Sequence, residues 1–268
     1  GGGHPTDGCR GPAPFQGAGF QYLAASTIVD VTGETLFPAS AVRTFNGVRV
    51  GFIGLALEGT PDLIAPSASL GLSFRDEVET INEEAARLSA EGVQSIVVLI
   101  HEGGARGVGS GDCPSVSGPI VEIVEALHPA VDVIVSGHTN GVYICRVAGK
   151  LLTSAGNYGG LLTDIVLTLD RRSGDVIAAE AQNHVVSPTL AEDAAQVEHI
   201  NAYRTLAAPF MNRRVGEITA PLSNARAESG ESSMGLVIAD AMLARAEAVQ
   251  GERASVALTE RLSAFEEA

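Results

Sequence analysis

Two apolar runs, each followed closely by a histidine, restrict what this chain can fold into more than any other feature. Ser95–Ile100 (SIVVLI) leads into His101-Glu102-Gly103-Gly104, and Val131–Ser136 (VDVIVS) leads through Gly137 into His138-Thr139-Asn140. Short apolar runs rich in β-branched residues read as strands covered on both faces, the pattern of a parallel sheet. Between them, Ser117-Gly118-Pro119 opens a helix with proline near its first turn. Ile120, Ile123, Val124 and Leu127 then form one apolar stripe. Residues 95–136 therefore predict a strand–helix–strand unit with parallel strands and a right-handed crossover. Both histidines emerge at the carboxyl edge of that sheet, where α/β proteins place their ligands.

The flanking segments are consistent with this unit. Asn46-Gly47, between Ala41–Phe45 and Val48–Leu55, is a strong hairpin signal. Val78, Ile81, Ala85 and Leu88 share one face of a helix ending near Gly92. Residues 102–116 form a long glycine-rich loop. A short strand is expected at Leu151–Ser154, and Leu161–Asp170 and Asp175–Glu180 flank a second hairpin turn at Arg171-Arg172-Ser173-Gly174. Past Ser187-Pro188, residues 190–208 read as a polar helix with Val197, Ile200, Tyr203 and Leu206 on one side. A further helix covers about 232–249, and a core strand begins at Ala254–Thr259.

Neutral imidazole is the commonest protein ligand for metals, so two histidines delivered to one sheet edge point to a metal centre at His101 and His138. The side-chain amide oxygen of Asn140 can also ligate a divalent ion. A metal there lowers the pKa of bound water and stabilises charge on a phosphoryl group. Glu102 reads as a solvated neighbour or as an acid/base partner of His101. His128, before Pro129, suits the end of a helix, and His4, His184 and His199 read as surface groups. No nucleophile elbow, phosphate-binding P-loop or dinucleotide fingerprint occurs in a strand-to-helix context. The net charge of −15 argues against a nucleic-acid polymer as partner. No apolar run is long enough to span a membrane. Of the three cysteines, Cys9 and Cys113 lie in loops that suit a disulfide in an oxidising compartment. Cys145, in an apolar strand context, fits a buried thiol equally well. The pairing is not readable from the sequence.

These residues carry a resemblance. Val98–Gly104 and Val135–Asn140 resemble the two late histidine motifs of the 5′-nucleotidase family, the secreted branch of the calcineurin-like metallophosphoesterases. Gly17–Ser26, Val50–Leu55, Thr153–Gly156 and Gly230–Gly235 with Ile238–Ala241 extend it along nearly the whole chain to about Thr259. The resemblance implies two divalent metal ions (Zn, Mn, Mg or Ca). His101 and His138 would ligate one, and Asn140 stands where the family has a histidine or glutamine ligand of the other. It also implies an α/β fold: the later part of a four-layer αββα metallophosphoesterase sandwich, then a linker helix and the start of a second α/β domain. The boundaries would be 1–187, 188–210 and 211–268, the last being the beginning of the substrate-recognition domain.

The family's early Asp-x-His, bridging Asp and Asn-His-Glu motifs have no counterpart here. The expectation is an internal fragment, inactive alone, whose catalytic histidine precedes residue 1. The implied activity is metal-dependent hydrolysis of nucleotide phosphate esters, of the 5′-nucleotidase or UDP-sugar hydrolase type, outside the cytoplasm. The alternatives are a non-catalytic remnant, or a relative acting on cyclic nucleotides or another ester. The partner expected is a small nucleotide.

Overall fold

The computed structural model describes residues 17–106 and 116–250. The chain divides into two units, Gly1–Val197 and Glu198–Ala268. Cys9, Cys113, His4 and the strand expected at Ala254–Thr259 lie outside the described residues.

The first unit opens with β1 (Thr27–Val29) and β2 (Glu34–Thr35), followed by β3 (Ser40–Phe45) and β4 (Val48–Leu55). β3 and β4 are antiparallel, with Phe45 opposite Val48. Asn46 and Gly47 both take positive φ (50° and 89°), the geometry of a two-residue hairpin turn that follows the twist of its strands. A short helix α1 (Thr60–Leu63) and β5 (Leu72–Phe74) follow, and β5 joins β2 and β1 in a small three-stranded sheet. Helix α2 (Glu77–Ala90) starts where Asp76 Oδ1 accepts the N–H of Glu79 at 2.7 Å. That bond satisfies one of the four orphan donors of a helix start.

β6 (Ser95–Ile100) and β9 (Val131–Val135) are the two apolar runs, linked through the two-residue strands β7 (Ala105–Arg106) and β8 (Val116–Ser117) and helix α3 (Pro119–Ala126). They pair in parallel, with Leu99 opposite Val135. β10 (Val142–Val147) and β11 (Lys150–Ala155) form a hairpin whose turn, Ala148-Gly149, also takes positive φ (48° and 82°). The main sheet runs β10-β11-β9-β6-β4-β3, with β11, β9, β6 and β4 mutually parallel. β12 (Leu161–Leu169) and β13 (Val176–Val185) make a separate antiparallel hairpin.

Strand alternation sorts the apolar side chains into two cores. Ile53, Leu55, Ile96, Val98, Ile100, Ile134 and Leu152 face Ile81, Ala85 and Leu88 of α2 and Ile120, Ile123 and Val124 of α3. Val50, Val97, Val133 and Leu151 face the other way, onto Ala179, Ile165, Leu167 and Leu169 of the β12–β13 hairpin. Burial on both faces, except at the exposed Leu99, explains why β6 reads as an apolar run. Burying each of these aliphatic side chains is worth about 1.5–3 kcal/mol. The result is a helix layer, a mixed sheet and a second β layer, which accords with the α/β sandwich expected from the resemblance.

The elements differ from the sequence expectation in several places, among them the two-residue strands β7 and β8 at the ends of the segment expected as a loop. The strand at Leu151–Ser154 is longer and is half of a hairpin with β10, which the sequence reading does not isolate. β13 continues five residues past Glu180, because Ala181–Val185 pair with Leu161–Ile165. The three short strands of the small sheet carry too little pattern to be read.

In the second unit and at its boundary lie α4 (Ala194–Met211) and α5 (Ser233–Gln250), close to the expected helices. Ile200, Tyr203 and Leu206 on α4 are 43–47% exposed. No helix among the described residues is long and apolar enough to cross a membrane.

Candidate metal centre

Adjacent parallel strands bring the two histidines together. His101 follows β6 directly, its N–H donating to Leu55 O at 3.2 Å, and His138 lies three residues beyond β9. The rings meet edge to face, their centroids 5.1 Å apart at an interplanar angle of 64°. Both are exposed at the carboxyl edge of the sheet. Among the described residues neither ring nitrogen is held by a hydrogen bond, so the nitrogens remain available as ligands.

The loops that carry them are closely fitted. The Gly103 backbone runs so near Gly137 O and Thr139 Oγ1 that a Cβ there would clash with both. Gly137 N–H donates to Glu102 O (3.2 Å) and Thr139 Oγ1 donates to Gly104 O (2.8 Å), so each loop holds the other. His138 and Asn140 both have positive φ (63° and 57°). For non-glycine residues that region is sparsely populated and persists where surrounding contacts enforce it. Thr139 N–H, which closes a tight turn onto Gly137 O at 2.7 Å, is one such contact. Asn140 is exposed in the same loop.

Below the loops lies Tyr143, 3% exposed. Its Oη accepts Gly104 N–H at 3.1 Å and is 2.7 Å from Ser136 Oγ, which itself donates to Thr153 O at 2.9 Å. Sequence reading does not single out this tyrosine. The available signal is its hydroxyl in a mostly apolar strand, which must find a partner when buried.

Glu102 is neither solvated nor paired with His101. It is buried, and its Oε1 accepts the N–H of Gly103 at 2.7 Å. It lines a cavity of about 420 Å³ with Glu58, Asp76, Glu77 and Glu122. Burial pushes the Glu77 carboxyl above the usual range, the N–H groups of Glu58 and Glu77 oppose that, and the charges of Glu58 and Glu102 add to it. Glu58, Asp76 and Glu77 place oxygens within 4.8 Å of one another. Two of the three have structural partners: Asp76 caps α2, and Glu77 Oε1 accepts Glu58 N–H at 2.7 Å. Among the described residues, no third His, Cys, Asp or Glu joins the histidine pair within that distance.

The remaining candidates fall elsewhere. His128 lies just past the carboxyl end of α3, and its Nδ1 accepts Ala130 N–H at 3.2 Å. His184 and His199 are exposed, the latter edge-on to Tyr203 with centroids 5.0 Å apart. Cys145 is 4% exposed and disulfide-bonded, so the inert-thiol alternative does not hold for it.

The chain is 27% identical over 245 residues to Endonuclease YhcR of Bacillus subtilis, an alignment covering 91% of this chain and 19% of that protein. It is 24% identical over 229 residues to a 5′-nucleotidase of Diplobatis ommata, covering 77% of this chain and 37% of that protein. The crystal structure of a 5′-nucleotidase precursor from Thermus thermophilus superposes with a TM-score of 0.65 at 23% identity, covering 86% of this chain and 47% of that one. The chain thus spans less than half the length of each of these proteins. No protein-family model matches it. With the paired histidine strands and the two-core sandwich, the chain is similar in sequence to 5′-nucleotidases over about three quarters of its length and shares the fold of a solved 5′-nucleotidase precursor.

Proposed function

We propose that this chain supplies the histidine side of a divalent-metal centre that hydrolyses phosphate esters of nucleotides. The observation that carries the reading is the convergence of His101 and His138, 5.1 Å between ring centroids, at the carboxyl edge of two parallel strands. Two available imidazoles suit a borderline divalent ion, and His101 and His138 would hold it through ring nitrogens. Asn140 would contribute its amide oxygen to a second ion. When bound, the metals would supply Lewis-acid stabilisation of the phosphoryl oxygens and a water of lowered pKa. The chain's own contribution is positional: the fitted loops fix the backbone from which both rings project.

Two imidazoles and an amide fall short of a complete two-metal ligand set, which needs anionic groups as well. We therefore infer that the remaining metal ligands, and a catalytic histidine, come from outside the described residues of this chain. The 268-residue chain alone would bind metal weakly and turn over nucleotides slowly or not at all. The organisation 1–187, 188–210 and 211–268 belongs to the same reading, and the division of the chain at Val197/Glu198 supports it. The Cys145 disulfide supports a location outside the cytoplasm, extracellular, periplasmic or cell-wall associated.

Titration with Co²⁺, followed by visible absorption, tests the ligand assignment. Binding lost in both His101→Ala and His138→Ala supports it, and binding unchanged in both overturns it. Phosphate release from AMP, UMP formation from a UDP-sugar and nucleoside monophosphate formation from a cyclic nucleotide, measured with added Mn²⁺ on a longer chain, decide the ester class. One observation favours a second reading: the similarity to an endonuclease runs along 91% of the chain. The net charge of −15 opposes a polymeric substrate, and nicking of DNA in the same assay would reverse that preference.

A further inference from the structure

We propose that Tyr143 is a positioning residue that sets the spacing of His101 and His138, an inference that rests on the metal-centre reading above. Thr153 O is a carbonyl and can only accept, so the single proton of Ser136 Oγ, 2.9 Å away, points to it. The 2.7 Å contact between Ser136 Oγ and Tyr143 Oη must then use the tyrosine proton. Tyr143 Oη in turn accepts the N–H of Gly104 at 3.1 Å. The chain Gly104 N–H, Tyr143 O–H, Ser136 O–H, Thr153 O runs in one direction with every proton used. Its first member lies three residues after His101 and its third two residues before His138.

Tyr143 therefore fastens both histidine loops from beneath, while Thr139 fastens them from the side. Its site is closed. Tyr143 is 3% exposed, and a Cβ on Gly141 would lie 2.9 Å from its ring. Loss of the hydroxyl leaves Gly104 N–H buried without an acceptor, and the loop has to move to find one. Groups that orient ligands from behind in this way change metal affinity by roughly 10–100-fold when removed.

The test compares wild type with Tyr143→Phe, which keeps the ring and removes the oxygen. Ser95→Ala serves as a control that removes a buried hydroxyl bonded to Gly174 O at the opposite sheet edge. Two quantities are read: the nuclear Overhauser contact between the His101 and His138 ring protons in metal-free protein, and the Co²⁺ affinity. Tyr143→Phe should lose or weaken the ring contact and bind Co²⁺ about tenfold more weakly. Ser95→Ala should change neither. An unchanged ring contact in Tyr143→Phe overturns the proposal, and so does an equal loss in Ser95→Ala. If wild type keeps the ring contact but binds no Co²⁺, the metal reading fails and the ring contact alone decides the role of Tyr143. Should Tyr143→Phe not fold, Ser136→Ala breaks the same chain one link on, and an unchanged ring contact there is equally decisive against the proposal.

Discussion

Gly103 and Gly137 approach so closely that the first has no room for a side chain beside the carbonyl oxygen of the second. The two histidine loops are in this sense one unit, built from chain segments about 34 residues apart. Gly103→Ala should force them apart. The expected cost is about 1–3 kcal/mol of overpacking strain, measured by denaturant unfolding. Co²⁺ affinity should fall with it, and an alanine variant with unchanged affinity would show that the loops tolerate separation.

Asp132 accepts the N–H of Ile96 at 2.9 Å, where the β6–β9 register shifts. Burial pushes its carboxyl up to about 7, the Ile96 N–H opposes that, the charge of Asp175 adds to it, and Lys150 pulls it down. A carboxyl raised in the folded state favours the protonated form there. Its contribution is complete below the unfolded value of 3.8 and is lost as pH rises through about 7. Asp132→Asn keeps an acceptor for Ile96 and removes the titration. The stability of wild type relative to this variant should fall between about pH 4 and pH 8, as read from thermal midpoints, and parallel profiles would contradict this.

Asp76 separates two roles for the acidic group beside α2. As a helix cap, its loss in Asp76→Ala should cost about 1 kcal/mol and leave Co²⁺ binding at the histidines intact. Loss of Co²⁺ binding in that variant would instead mark Glu58, Asp76 and Glu77 as the metal site.

The Cys145 disulfide should hold β10 under heating. Reductant, or Cys145→Ser, should lower stability by about 2–4 kcal/mol, and a midpoint indifferent to reductant would rule out a structural role for the bond.

A buried core position gives a reference for these effects. Leu88 of α2 is fully buried against the main sheet, and Leu88→Ala should cost about 2–5 kcal/mol without changing the His101–His138 ring contact.

Where local pattern and tertiary role coincide, the sequence is legible. β6, β9, α2 and α3 announce themselves because their apolar periods match the surfaces they bury, and Asn46-Gly47 because both residues suit the left-handed turn. The hairpin at Ala148-Gly149 is hidden, because alanine is an uncommon choice for a positive φ and only the register of β10 on β11 enforces it. The site divides in the same way. His101 and His138 follow from strand ends, whereas the burial of Glu102 and the hydroxyl chain through Tyr143 depend on loops distant in sequence.

The sheet also separates its two edges. The turns at Asn46-Gly47 and Ala148-Gly149 enter β4 and β11 at their amino ends, opposite the edge that carries the histidines. All four turn residues are exposed, and both glycines face open space. These two turns are natural attachment points. A dye, an affinity handle or a covalent link to a solid support placed at either would leave the histidine edge facing open solution.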